Sequence, residues 1–208
     1  MITFAKKFIY MKNAFKLFDF MGTPVYLKYW FFVFLLAGPA IFFALLISVL
    51  THELAHTHMA TKRGYKVDHV FIGLFLGGAS IDVERLSYKD TILISVVGPL
   101  SNLVLSMLGY AYTLYVGDSG FVALFTTMNF YFFVLNMLPI FPMDGGRISK
   151  AIIQSITKPT IGRKINGFLS IVASVALIVY SVVNSLYILA IFSVLFIFVA
   201  YTEIKQKY

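Results

Sequence analysis

The apolar run over residues 167–202 is too long to cross a bilayer once. As a single helix it would measure ~54 Å at 1.5 Å per residue, against a hydrocarbon core of ~30 Å. It therefore reads as two helices turning at "VNS", residues 183–185. The whole chain of 208 residues has the same character, being 60% hydrophobic and 12% charged where an average soluble domain carries roughly 25% charge. No long polar or Pro/Ser-rich linker divides it, so residues 1–208 read as a single membrane-embedded domain.

Four further spans are expected, at about 25–37, 40–60, 91–116 and 121–138. "AGPA" at 37–40 separates the first two, because proline disfavours helix at its own position and just before it. Glycines punctuate the β-prone "VFIGLFLGGASIDVE", which suggests short strands rather than a spanning helix. The expected fold class is thus an all-α membrane protein with six transmembrane helices and a small membrane-associated β-segment around residues 65–85. Residues 1–20 carry too many lysines for a signal peptide and read as an amphipathic surface segment, or as a terminus leading into a strand.

With the N-terminus cytoplasmic, the outer turns are "GP", "VGDSG" and "NS", and none of the 17 Lys and Arg falls in them. The positive-inside bias then accounts for the net charge of +8 without nucleic acid as a partner. Both termini are expected in the cytoplasm of a multi-pass cell-membrane protein.

Into this apolar chain "HELAH" places His52, Glu53 and His56. Four-residue spacing stacks the two imidazoles on one helix face, where both can reach one ion, with Glu53 beside them to hold a water. Ionisable groups at membrane depth need compensation, and bound Zn²⁺ would supply it. The site would lie about 12 Å inside the cytoplasmic end of its span. Without cysteine, a third ligand must be histidine or carboxylate. His58 points about 200° around the helix from His56 and reads as interfacial, and His69 as facing solvent. The best candidate is Asp144 in "NMLPIFPMDGG", although an aspartate there could equally cap the following helix.

"HELAH", "GPLSN" at 98–102 and "NMLPIFPMDGG" at 136–146 together resemble the site-2 protease family of intramembrane zinc metalloproteases, especially its compact six-span members of the sporulation factor-processing type. The resemblance implies one zinc per chain bound by His52, His56 and Asp144, with Glu53 as general base and acid. It further implies that Asn136 contacts substrate or the developing oxyanion, and that Gly98, Pro99 and Asn102 form a motif in which a small residue and a helix break permit close packing against the metal-bearing helices. "GLFLGGAS" resembles the family's β-segment that holds substrate as an added strand, which makes Gly77 and Gly78 substrate-binding candidates. Ala55 departs from the family's usual glycine. No PDZ-like or CBS module is expected.

The implied partners are the lipid bilayer and a membrane-protein substrate with a transmembrane helix, and a homo-oligomer is compatible with the sequence. The implied reaction is hydrolysis in or near that helix, releasing a cytoplasmic factor. The rival reading is a metal-binding membrane protein or transporter using the same histidines. Asn129, seven residues before Asn136 on the same helix face, either binds substrate or hydrogen-bonds Asn102, and reads as a packing residue.

Overall fold

The computed structural model describes residues 13–73, 78–81 and 86–205. Contacts divide the chain into two compact units, Met1–Arg85 with Leu100–Phe132, and Leu86–Pro99 with Phe133–Tyr208. The division passes through two helices, α2 (Tyr88–Tyr115) and α3 (Gly120–Met137).

The first unit opens with the strands β1 (Ala14–Phe20) and β2 (Thr23–Lys28), joined by a two-residue turn in which Met21 (φ 50°) and Gly22 (φ 79°) both adopt positive φ. That turn matches the right-handed twist of a β-hairpin. In β2, buried Thr23, Val25 and Leu27 alternate with half-buried residues, the period of a strand with one packed face. β2 runs parallel to β3 (Val67–Ile72), and β3 antiparallel to β4 (Gly78–Ile81), giving the sheet order β1-β2-β3-β4.

A 3-10 helix, Tyr29–Ala37, and the helix α1 (Pro39–Lys62) connect β2 to β3. The span expected at 25–37 is therefore not an α-helix: its first residues complete β2, and nine 3-10 residues rise only about 18 Å. Gly38, at φ 112°, redirects the chain, and Pro39 begins α1 where its missing N–H costs no helical bond. Phe31 and Phe32 close the corner against Phe42, each with ring centroids 5.5 Å from it. At its other end α1 stops at Gly64 (φ 84°), where the Tyr65 amide reaches back to the Ala60 carbonyl. Both features belong to a Schellman cap.

The other expected spans agree with α1, α2 and α3, and the apolar run divides into α5 (Pro159–Val183) and α6 (Tyr187–Lys205), turning through Asn184 and Ser185. Five helices among the described residues are long and apolar enough to cross a membrane, not six. The β-segment is also larger than expected, beginning at residue 14. Of the segment read at 1–20, residues 1–12 lie outside the described residues, and the remainder is Asn13 and β1, in keeping with the alternative of a terminus leading into a strand.

In the second unit α5 packs along α6 through small residues. A Cβ on Gly167 would stand 2.3 Å from Ile204 Cγ1. The buried hydroxyls of Ser170, Ser181 and Ser193 each return to the carbonyl one turn earlier, so they enter the apolar interface already hydrogen-bonded. Ile140, Leu177 and Phe196 form the core beneath the loop after α3. From that loop emerges α4 (Asp144–Ile156), a short amphipathic helix.

Three contacts hold α4. Ser149 Oγ donates to Asn166 Oδ1 on α5 at 2.6 Å, and Lys150 pairs with the buried Glu203 on α6 while lying over the Phe141 ring. Gly145 and Gly146 let its first turn sit directly on the loop backbone: a Cβ on Gly146 would lie 2.4 Å from the Phe141 nitrogen, and one on Gly145 2.3 Å from the Leu138 carbonyl oxygen.

Gly146→Ala should therefore cost about 1–3 kcal/mol, since the obstructing atoms are backbone, read as a lower unfolding midpoint in detergent. Lys150→Met should cost about 3 kcal/mol by leaving Glu203 buried without its cation, and Lys150→Met combined with Glu203→Gln should recover most of that loss. Equal losses in the single and double variants would show that the pair does not act as a unit.

Candidate metal centre

His52, Glu53 and His56 lie in the second half of α1, where all three are buried. Their Nε2 atoms bring the two histidines together: His52 Nε2 and His56 Nε2 are 3.1 Å apart, with ring planes at 83°. Two nitrogens bound to one tetrahedral zinc at 2.0–2.1 Å would stand roughly 3.3 Å apart. The pair thus fits the ion, and its chemistry of neutral imidazoles suits zinc. Thr57 Oγ1 donates to the Glu53 carbonyl at 2.9 Å, keeping a polar hydroxyl satisfied within the same buried turn.

Beyond the histidines lies a fully buried polar network. His52 Nδ1 is 2.6 Å from Asn102 Oδ1, Asn102 Nδ2 donates to Asn129 Oδ1 at 2.8 Å, and Asn129 Nδ2 donates to Ser48 Oγ at 2.9 Å. The resemblance named Asn102 as a packing residue, and the structure gives it a direct bond to a candidate ligand. Asn129 does bond Asn102, as a packing role required, but it also continues the chain leading to His52. Ser48 went unnoticed in the sequence, although its position four residues before His52 puts it on the same helix face.

α2 continues through Pro99, so the helix break expected at the GPLSN motif does not occur. Gly109 supports the same packing, since a Cβ there would meet Thr126 Oγ1 at 2.1 Å. His58 is half-buried on α1. His69 is half-buried on β3 with its ring 6.4 Å from that of Phe71, rather than wholly in solvent.

In the other unit, Asp144 is buried and is the first residue of α4. It is not the cap: that position belongs to Met143, which makes no side-chain capping bond. The helix N-terminus favours an ionised carboxylate there, and Arg147 Nη1 stands 3.9 Å from its Oδ1. Asn136 is half-buried near the end of α3. Gly78 faces Phe71 across the β3–β4 pair, with its Cβ position 3.0 Å from the Phe71 ring, so the missing side chain makes room for the aromatic. Gly77 lies outside the described residues.

The chain is similar to several known proteins. A zinc metalloprotease of Methanocaldococcus jannaschii is 29% identical over 160 residues, covering 69% of this chain and 47% of that protein. The stage IV sporulation protein FB of Bacillus subtilis is 31% identical over 108 residues, covering 50% of this chain and 37% of that protein. The chain thus spans less than half the length of either relative. Among solved structures, the site-2 protease from Methanocaldococcus jannaschii superposes with a TM-score of 0.69 over 94% of this chain and 97% of that one, at 23% identity, a likeness of fold. The profile of peptidase family M50 matches residues 40–120 and 113–181, a stretch that holds the histidine pair, Glu53 and Asp144, and the chain belongs to that family.

Proposed function

We propose that the protein is an intramembrane zinc metalloendopeptidase that hydrolyses a peptide bond in or near a transmembrane segment of another membrane protein, releasing a cytoplasmic factor. The observation that carries this reading is the His52–His56 pair, two buried imidazole nitrogens 3.1 Å apart in a membrane-spanning helix with Glu53 beside them. Asp144 is the proposed third ligand: it is a buried carboxylate, and two histidines with one carboxylate are a recurrent catalytic zinc set that leaves a position for water.

Zinc bound there would act as a Lewis acid, lowering the pKa of its water to about 7 and polarising the scissile carbonyl. The Glu53 carboxylate takes the water's proton and returns it to the leaving amine. Asn136 would then steady the substrate carbonyl, as the resemblance implies. A helical substrate holds its carbonyls in hydrogen bonds and must unwind before it is cut. The outer edge of β4, which begins at Gly78, would offer backbone partners to the unwound segment at membrane depth, with Gly77 of the same sequence motif as a further candidate.

The orientation follows from charge. Lys62 and Arg63 end α1, Arg147, Lys150 and Lys158 lie on or beside α4, and Lys205 ends α6. The positive-inside bias assigns these ends to the cytoplasm and so would bring the site nearer that face. β2 pairs with β3, which follows the same end of α1, so the N-terminus joins them there, with Tyr29–Ala37 carrying the chain back to Gly38 at the start of α1.

Glu53→Gln should lower cleavage of a model transmembrane peptide in proteoliposomes by about a hundredfold to ten-thousandfold, the usual contribution of a positioned base, while bound zinc is retained. A variant that still cleaves at the wild-type rate would remove Glu53 from the reaction and end the proposal.

A further inference from the structure

We propose that Asn102 and Asn129 are positioning residues that set the tautomer of His52, presenting the lone pair of Nε2 to the metal before any ion arrives. The inference rests on the zinc reading of the site and specifies how the apoprotein is prepared for it.

The argument runs from backbone carbonyls, which can only accept hydrogen bonds. Ser48 Oγ lies 2.6 Å from the Ala44 carbonyl oxygen, so the hydroxyl spends its hydrogen there and accepts from Asn129 Nδ2 at 2.9 Å. Asn129 Nδ2 also donates to the Phe125 carbonyl at 2.9 Å, which fixes the orientation of that amide. Its Oδ1 is left to accept from Asn102 Nδ2 at 2.8 Å. Asn102 Nδ2 donates in addition to the Ser48 carbonyl at 3.2 Å, so the Asn102 amide is fixed as well, with Oδ1 towards His52.

An amide oxygen offers no hydrogen. His52 Nδ1, 2.6 Å away, must therefore carry one, and in a neutral imidazole the lone pair then belongs to Nε2. This is the atom that faces His56 Nε2. Three carbonyls, on Ala44, Ser48 and Phe125, thus give the network a single direction. Flipping Asn102 would set its oxygen against both the Ser48 carbonyl and Asn129 Oδ1. Ser48, Asn102 and Asn129 are all 0% exposed, so no solvent is at hand to relieve such a reversal.

The test is the zinc dissociation constant of the detergent-purified full chain, measured by chelator competition, together with the visible spectrum of the Co²⁺-substituted protein, which reports ligand geometry. Asn102→Leu removes the acceptor and should weaken zinc binding about 10- to 100-fold, as outer partners of metal ligands do, with an altered Co²⁺ spectrum. Asn102→Asp, protonated on the oxygen that takes the place of Nδ2, still accepts from His52 Nδ1 through the other oxygen and should bind within about threefold of wild type, even if its unfolding midpoint falls. Asn129→Leu, one bond further out, should lose on the order of threefold to tenfold. Ser106→Ala is the packing control: Ser106 Oγ joins the same two helices by donating to the Thr126 carbonyl at 3.0 Å but lies outside the network, so zinc affinity should not move.

Wild-type affinity in Asn102→Leu would overturn the proposal, as would an equal fall in Asn102→Asp and Asn102→Leu, since packing alone would then explain the loss. If Asn102→Leu does not fold, Asn129→Leu decides against Ser106→Ala: weaker binding in the former alone supports the proposal, and equal binding overturns it. A folded wild type with no zinc affinity would instead overturn the protease reading itself, whereas tight wild-type binding with indifferent variants overturns only the tautomer inference.

Discussion

The structure depends on the presence of His52, Glu53 and His56 in the buried half of a helix built to cross a bilayer. Hydrocarbon offers these groups no water, so each must find its compensation inside the protein. Paired Nε2 atoms at a separation suited to a shared ion meet that demand for the two imidazoles on their metal-facing side. Asn102 meets it for His52 on the other. The polar groups recruited for this purpose are themselves buried, and they require partners in turn, which is why the network extends through Asn129 and Ser48 until it ends on backbone carbonyls. One constraint thereby accounts for the buried polar chain that links α1, α2 and α3.

A similar economy governs α4. Its first turn carries Asp144, and glycine at 145 and 146 allows the backbone to approach the preceding loop more closely than any side chain would permit. The far side of the helix is fastened by Ser149 to α5 and by Lys150 to α6. Specific polar ties and glycine contacts supply the precision that the proposed metal ligand would require.

Most of this arrangement was legible in the sequence where a physical signal was strong. Apolar length gave α1, α2, α3, α5 and α6, and the turn at 183–185 followed from the limit a bilayer places on one helix. The spacing of His52 and His56 was sufficient for their shared face. The hairpin of β1 and β2 was harder to see, because Met21 adopts a positive φ that favours glycine or asparagine, so "MG" carries half the usual turn signal. The apolar stretch 29–37 has the composition of a span, and nothing in it announces a 3-10 helix that stops at Gly38. Asn102 and Asn129 were visible as polar residues in apolar helices, but their roles depend on which atoms meet across 27 residues of sequence, information that composition and periodicity do not contain. The substrate assignments for Asn136, Gly77 and Gly78 came from resemblance, and for Gly78 the structure adds a packing reason of its own, the Phe71 ring.

The account stands on one zinc ion shared by a histidine pair and a carboxylate distant in sequence. The most direct measurement is the metal content of the detergent-purified wild type beside that of Asp144→Ala, with folding of both checked by thermal unfolding. The account predicts about one zinc per chain in the wild type and loss of most of it in the variant, since a catalytic zinc typically takes three protein ligands. A folded wild type without zinc, or an Asp144→Ala protein that keeps all of it, would contradict the account.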